Sequence, residues 1–463
     1  MRISELPGPR GLPILGNALQ IKASQMHLTA EKWSRTYGEY FRFRIGPRQI
    51  VVLSNPETIA GALRDRPDGF RRTPRLRAIA KEMGFNGVFS AEGDAWRRQR
   101  PMVMASFDPG HIKTYFPALV KVTQRFARRW QAAARAGATV DLQGDLMRYT
   151  VDVTAGLAFG ADINTLESDT EVIQAHLDKV FPALFKRLFS PFPSWRWLEE
   201  RRLGRHLEAL HRAVAEFIGQ ARARMDADPR LSSHPSNLIE AMIAARDTEG
   251  SGLDDADVAG NVLTMLLAGE DTTANTLAWM IYLLSRNPAA RDRARDEIRM
   301  VLQKESVLSR YEDASALPYI DACINETMRL KPVAPLMMLE VARATVLGEL
   351  ELPEGTLLMV LMRAGATDER RFADAHAFNP ERWLSGASAN SPKRVSMPFG
   401  AGPRLCPGRY LAILEMKMVM AMLLGGFEIE AVTTPDGAEA KEHLSFTMYP
   451  EGLRLRLGAK ATA

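Results

Sequence analysis

A mainly α-helical chain with a small β portion, α+β in class, is the fold the sequence predicts, and three observations carry the prediction. Apolar residues recur at three-to-four spacing over five long stretches, whereas alternating or short apolar runs are confined to a segment near the start, to the residues after Pro332 and to the tail. The 463 residues are 46% hydrophobic, enough for a large core. No Ser/Gly tract, charge block or repeat divides them, so residues 1–463 are expected to form a single domain.

Taken in order, Tyr40-Phe-Arg-Phe-Arg-Ile45 and Gln49-Ile-Val-Val-Leu53 lie between Gly46-Pro47 and Asn55-Pro56 and predict a β-hairpin. Helices are predicted over Phe116 to Ala134, Gln174 to Phe189, Glu199 to Asp226, Asn237 to Arg246 and Asp255 to Ser285. Pro288 and Pro318 sit where further helices begin, and Pro332 where one must stop. Short strands are expected around Val341 to Leu347 and Leu357 to Leu361, then a helix from Arg409 to Gly425, then strand again.

The helix from Asp255 would be roughly 45 Å long at 1.5 Å per residue, enough to cross the molecule. Its middle is chemically odd, because Val262, Leu263, Met265, Leu266 and Leu267 run into Ala268-Gly-Glu-Asp-Thr-Thr273 before apolar character returns. Glycine and paired threonines are poor helix formers. A Thr hydroxyl can instead bond a carbonyl one turn back, which opens the helix into a small groove. Further on, Glu326 and Arg329 are one turn apart and predict an ion pair on a helix face.

Cys406 is one of two cysteines and lies in Phe399-Gly-Ala-Gly-Pro-Arg-Leu-Cys-Pro-Gly408. Zinc and iron–sulfur sites need several Cys or His ligands at short spacing, and none lie nearby in sequence. A single thiolate can still be the axial ligand of a haem. Gly400 and Gly402 permit turns that a side chain forbids, and Gly408 allows close approach to a flat macrocycle. Backbone N–H groups are then free to face the sulfur, Phe399 to shield it and Arg404 to pair with a haem carboxylate. A lone Cys is more commonly a small buried hydrophobe, the reading that fits Cys323 between Ile320 and Ile324.

This loop resembles the Phe-x-x-Gly-x-Arg-x-Cys-x-Gly signature of the cytochrome P-450 family, the haem-thiolate monooxygenases, in their soluble bacterial form. The resemblance continues in order through Trp96…Arg100, Ala268-Gly-Glu-Asp-Thr-Thr273, Glu326-Thr-Met-Arg329 and Pro380-Glu-Arg-Trp383, and so spans nearly the whole chain. It implies about a dozen helices around haem b (iron protoporphyrin IX), with the long helix central and Ala268 against the haem. Cys406 would ligate the iron, and Trp96, Arg100 and Arg404 would hold the haem carboxylates. Thr272 would hydrogen-bond dioxygen as it is activated, with Asp271 relaying protons. Arg382 would join Glu326 and Arg329 in a structural network under the haem pocket. Candidate pocket residues by position are Phe85, Val88, Phe89, Phe185, Phe189, Leu267, Val333, Leu336, Phe446 and Met448.

Two departures from the family pattern concern one haem carboxylate. Many relatives carry Arg in the strand after the helix-ending proline, near whose position this chain has Glu340, and Ala366-Thr-Asp-Glu369 replaces a common Asn- or His-containing segment.

The resemblance implies hydroxylation or epoxidation of a hydrophobic small molecule, of terpenoid, steroid or fatty-acid class, with dioxygen and two electrons. No glycine-rich nucleotide fingerprint stands in useful context, so a ferredoxin or flavodoxin-type donor, reduced by NAD(P)H through a reductase, is expected. Arg97 and Arg98 beside Trp96 are candidates for its docking face. A net charge of +5 without Lys/Arg runs interleaved with aromatics argues against nucleic acid. The first residues hold no apolar run long enough for a membrane anchor, and two cysteines suit a reducing compartment, so a soluble, cytoplasmic monomer is expected. Rival readings are a peroxygenase or isomerase needing no donor, a non-catalytic haem sensor or carrier, and Cys406 as a hydrolytic nucleophile.

Overall fold

The computed structural model describes residues 1–167, 172–189, 197–384 and 392–459. Helix dominates, with fourteen α-helices and twelve short strands among the described residues. The hairpin forms as Tyr40–Ile45 and Arg48–Leu53, antiparallel and closed at Ile45 opposite Arg48. These strands belong to a five-stranded sheet ordered Tyr40–Ile45, Arg48–Leu53, Leu357–Leu361, Leu336–Val341, Phe70–Arg72. Arg48–Leu53 runs parallel to Leu357–Leu361, and the other pairs are antiparallel.

That sheet separates two apolar clusters, which explains why Ile50 to Leu53 form a continuous apolar run. Ile50 and Val52 face the main helical core, whereas Val51 and Leu53 face a smaller core with Ile59, Leu63, Phe70 and Val360. The strand expected around Val341 to Leu347 is broken by a bend at Ala342 and Arg343. Two strands occur there, Leu336–Val341 inside the sheet and Thr345–Leu347 in a separate ribbon with Leu350–Leu352. Leu357–Leu361 occurs where expected. A three-stranded sheet of Thr139–Asp141, Arg454–Ala459 and Phe427–Thr433 and a ribbon of Glu442–Leu444 with Met448–Pro450 account for the tail.

The central helix is Asp255–Arg286, started by a reciprocal capping box between Asp254 and Asp257. Most of its residues are buried, and it packs on Leu142–Phe159, a helix the sequence pattern did not disclose because it is buried nearly all round and shows no polar face. Gly269 is explained by that packing. A Cβ there would lie 2.5 Å from Thr154 Oγ1, so the two helices could not approach as they do.

The other predicted helices occur as Pro109–Arg135, Val172–Phe189, Trp197–Ala227 and Leu238–Asp247, the last capped by the Asn237 side chain. Pro288–Leu302 and Pro318–Leu330 start at their prolines, and Arg409–Gly426 follows the cysteine loop. Helices Met26–Tyr37, Pro56–Arg64 and Pro74–Glu82 were not anticipated; they are short, at 12, 9 and 9 residues.

Candidate active site

The cysteine loop is shaped by two left-handed glycines, Gly400 at φ +76° and Gly402 at φ +70°. At Gly402 a Cβ would also meet the Leu63 carbonyl oxygen at 2.6 Å. These turns let the Cys406 N–H donate to the Phe399 carbonyl at 3.0 Å. Gly408, at φ −82°, caps the helix Arg409–Gly426 and points its N–H at the Cys406 sulfur. Burial pushes the Cys406 thiol up; the Gly408 N–H and the charges of Arg100 and Arg409 pull against it. Those three groups favour the thiolate, the form of the sulfur that ligates a metal.

Trp96 and Arg100 lie on the helix Gly93–Ser106, one turn apart, beside this loop. Arg100 Nη2 donates to the Leu405 carbonyl at 2.5 Å. Arg404 lies over the Trp96 ring at 4.8 Å, and its Nη2 donates to the Ala91 carbonyl at 2.7 Å and to Glu92 Oε2 at 2.6 Å. Glu92 was not foreseen, and no pattern in the sequence marked it. Arg404 Nε is buried without a protein partner, a donor that an anionic group can take up.

Glu326, Arg329 and Arg382 form the expected network, fully buried at Glu326 and Arg329. Arg329 Nε and Nη2 each donate to Glu326 at 2.8 Å, and Arg382 Nε donates at 3.3 Å. Trp383 Nε1 and the Asn379 N–H complete the shell of that carboxylate, and Arg329 Nη1 binds the Ala366 and Ala375 carbonyls. In this way the unusual Ala366 contributes through its backbone.

On the central helix Thr272 Oγ1 donates to the Ala268 carbonyl at 2.8 Å, and Thr150 Oγ1 from the neighbouring helix donates to the Glu270 carbonyl at 2.8 Å. Hydroxyls thus claim carbonyls at this turn, although the helix stays unbroken from Asp255 to Arg286. Ala268 is exposed while Leu266 and Leu267 beside it are buried, so it faces an internal space. The Asp271 carboxylate is turned toward the tail ribbon, where it accepts from Asn275 Nδ2 at 2.7 Å and from the Thr447 hydroxyl. Gln143 in turn donates to Asn275 at 2.7 Å.

A cavity of about 710 Å³ brings together Phe85, Phe89, Phe185, Leu267, Ala268, Thr272, Leu336, Phe446 and Thr447. Val88, Val333 and Met448 are not in its lining. The Val88 N–H is held by Asn261 Oδ1 at 2.7 Å, the Val333 carbonyl accepts the Met448 N–H at 2.8 Å, and the Met448 side chain is wholly in the core. The Phe189 side chain lies outside those described. Phe89 and Phe446 meet edge to face across the cavity, with ring centroids 5.8 Å apart. The loop carrying Phe85 and Phe89 is seated on the central helix, since a Cβ on Gly87 would lie 2.6 Å from the Gly260 carbonyl oxygen.

A sulfur faced by an N–H, an apolar cavity and an unspent buried guanidinium N–H are the donor set that a haem-thiolate group would use, with Cys406 to ligate iron and the arginines to take its carboxylates. The comparisons agree. The family model of cytochrome P450 matches residues 6–457. Pentalenene oxygenase of Streptomyces avermitilis is 27% identical over 98% of this chain and 97% of its own. Cyclooctat-9-en-7-ol 5-monooxygenase of Streptomyces melanosporofaciens is 27% identical over 92% of this chain and 89% of its own. The mitochondrial 1,25-dihydroxyvitamin D(3) 24-hydroxylase of Rattus norvegicus is 27% identical over 93% of this chain and 84% of its own.

Proposed function

The chain belongs to the cytochrome P450 family and is a haem-thiolate monooxygenase, and from that premise we propose that Cys406 supplies its thiolate and that the 710 Å³ cavity receives a hydrophobic substrate of terpenoid, steroid or fatty-acid class. Bound haem supplies the cleavage of dioxygen and the oxidation of a C–H bond, with the overall balance RH + O2 + 2 electrons + 2 protons giving ROH + H2O. The observation that carries the reading is the Cys406 sulfur facing the Gly408 N–H beside Arg100.

The protein's part is orientation, dryness and protons. Trp96, Arg100 and Arg404 stand where they can hold a carboxylated macrocycle. The Thr272 hydroxyl, on the cavity wall, donates to the Ala268 carbonyl and can accept a hydrogen bond from a water on its other side. The Asp271 carboxylate accepts from Asn275 and from Thr447; having taken up a proton, it can hand it to the Thr447 hydroxyl, which releases its own toward the cavity. The aromatic and aliphatic lining orients an apolar ligand, for which the substrates named in the three relatives are precedents.

The reading includes a single catalytic domain acting as a cytoplasmic monomer, with electrons from a ferredoxin or flavodoxin-type donor and ultimately NAD(P)H. Arg98 is exposed on the same helix as Trp96 and Arg100 and is the better candidate for donor docking. Arg97 is engaged by Asp68 and by Asp94 at 2.8 Å. Among the described residues no helix is long and apolar enough to cross a membrane.

The test is the reduced carbon-monoxide difference spectrum of the purified protein and of Cys406→Ser. The expected result is a Soret band at the position that names the family, lost in the variant. Haem bound equally well by both, with the band at the position of neutral or histidine ligation, would remove Cys406 from its role.

A further inference from the structure

Beside the Trp96–Arg404 pair lie two more guanidiniums that the sequence did not mark. Arg66 is 3% exposed; its Nη1 reaches only the Met337 sulfur at 3.5 Å, and its Nε and Nη2 are buried without a partner. Arg72 donates from Nε to the Phe89 carbonyl at 3.2 Å and stacks on the Phe89 ring at 4.2 Å, on the wall of the cavity. Its backbone N–H binds Glu92 Oε1 at 2.7 Å, and the other oxygen of that carboxylate is the one Arg404 holds.

The charges do not balance within the protein. Arg66, Arg72, Arg100 and Arg404 gather here around one carboxylate, Glu92, so positive charge is in excess. Burial lowers Arg66, Arg72 and Arg404, Arg72 to about 10; repulsion by neighbouring guanidiniums, Arg100 in the case of Arg404, adds to it, and Glu92 opposes the shift. Glu340, the nearest other carboxylate on the adjoining strand, is already paired with Arg71 at 2.9 Å through the Arg71–Glu340 register. Cations buried with unused N–H groups require anions. Haem carries two carboxylates.

We propose that Arg66 and Arg72 bind one haem propionate, in a chain that offers Glu340 and no arginine on the strand Leu336–Val341, while Trp96, Arg100 and Arg404 hold the other. Leu336–Val341 carries Glu340, and its neighbour Phe70–Arg72 supplies Arg71 to neutralise that charge and Arg72 to bind the propionate.

The inference rests on the haem-thiolate reading, and its test separates the two. Holoprotein with Arg66→Met, Arg72→Met or both is mixed with excess apomyoglobin, and haem transfer is followed by the Soret change. Transfer is expected to be at least tenfold faster in each single variant than in the parent. Arg66→Lys and Arg72→Lys, which keep charge and much of the volume, are read by resonance Raman, where the propionate-bending bands are expected to shift. Transfer within twofold of the parent, or propionate bands unmoved in both Lys variants, overturns the assignment. A Met variant that yields no folded holoprotein leaves the decision to the Raman bands of the Lys variants. A parent protein without the thiolate Soret band would overturn the underlying reading instead.

Discussion

Thr447 and Asp271 show how much a single hydrogen bond can assign. Asp271 lies in a helical turn that the sequence marked as irregular, but its partner Thr447 is 176 residues away and lines the cavity next to Phe446. Thr447→Val removes that donor and leaves the shape. Substrate affinity from spin-state titration is expected to stay within about twofold, while product formed per electron falls roughly tenfold and peroxide rises, short of the 10²–10⁴ that proton transfer as a whole contributes. Unchanged coupling would take Thr447 out of the proton path.

Glu415, on the helix after the cysteine loop, offers a second test at this scale. Burial pushes its carboxyl up to about 8, and a hydrogen bond with Thr273 pulls back only part of the shift. A folded-state value above the unfolded one of about 4.3 means that the native state holds the extra proton. Its contribution is complete below that value and is lost as pH rises toward 8, by up to about 1.4 kcal/mol per unit. Glu415→Gln should therefore show a shallower fall in urea midpoint between pH 5 and 8 than the parent; an equal slope refutes the assignment.

At the scale of the element, the segment before the cysteine loop contains little regular structure and is held instead by Glu326 and Arg329. Their helix, Pro318–Leu330, presents a buried ion pair to the carbonyls of residues 366, 375 and 377, to Arg382 and to the Trp383 indole. Removing one partner leaves a buried charge uncompensated, at about 3–5 kcal/mol. Glu326→Gln is expected to lower stability by about that amount, measured by urea denaturation, and to reduce the fraction purified with haem in the thiolate form. A loss below about 1 kcal/mol would mean that backbone contacts alone hold the segment.

Across the whole molecule, a second buried network joins distant parts of the chain. Arg363 binds Glu31 and Glu442 at 2.8 Å each, Lys331 binds Glu442 at 2.5 Å, and His27 Nε2 lies 2.8 Å from the same carboxylate. The helix Met26–Tyr37 is thereby tied to the tail ribbon that carries Phe446 and Thr447. Burial raises the Glu442 carboxyl, but His27, Arg363 and Lys331 outweigh it and hold the group well below the usual carboxylate range. With the folded value depressed, the stabilisation is present above about pH 4.3 and is lost as pH falls through the folded value. Glu442→Gln should lower the melting temperature at pH 7 and narrow its gap from the parent below pH 4. A gap that stays constant with pH would show that the network contributes packing only.

Much of this was legible in the chain itself. The glycine-rich cysteine loop, the central helix with its odd middle and the Glu326–Arg329 pair are local patterns, set by spacing along one segment, and each lies within a few residues of where it was expected. The helix Leu142–Phe159 was not legible, because complete burial erases the period of 3.6 on which such a reading depends. Glu92, Thr447, Asn275, Arg66 and Arg72 were not legible either. Each acts through a partner contributed by another segment, and a single sequence records no distance between segments. What the sequence determined was the chemistry available, one cysteine in a glycine loop and one hydroxyl–carboxylate turn. Only the tertiary structure decided which carboxylates neutralise which arginines, because charge balance in a buried site depends on neighbours brought together by packing.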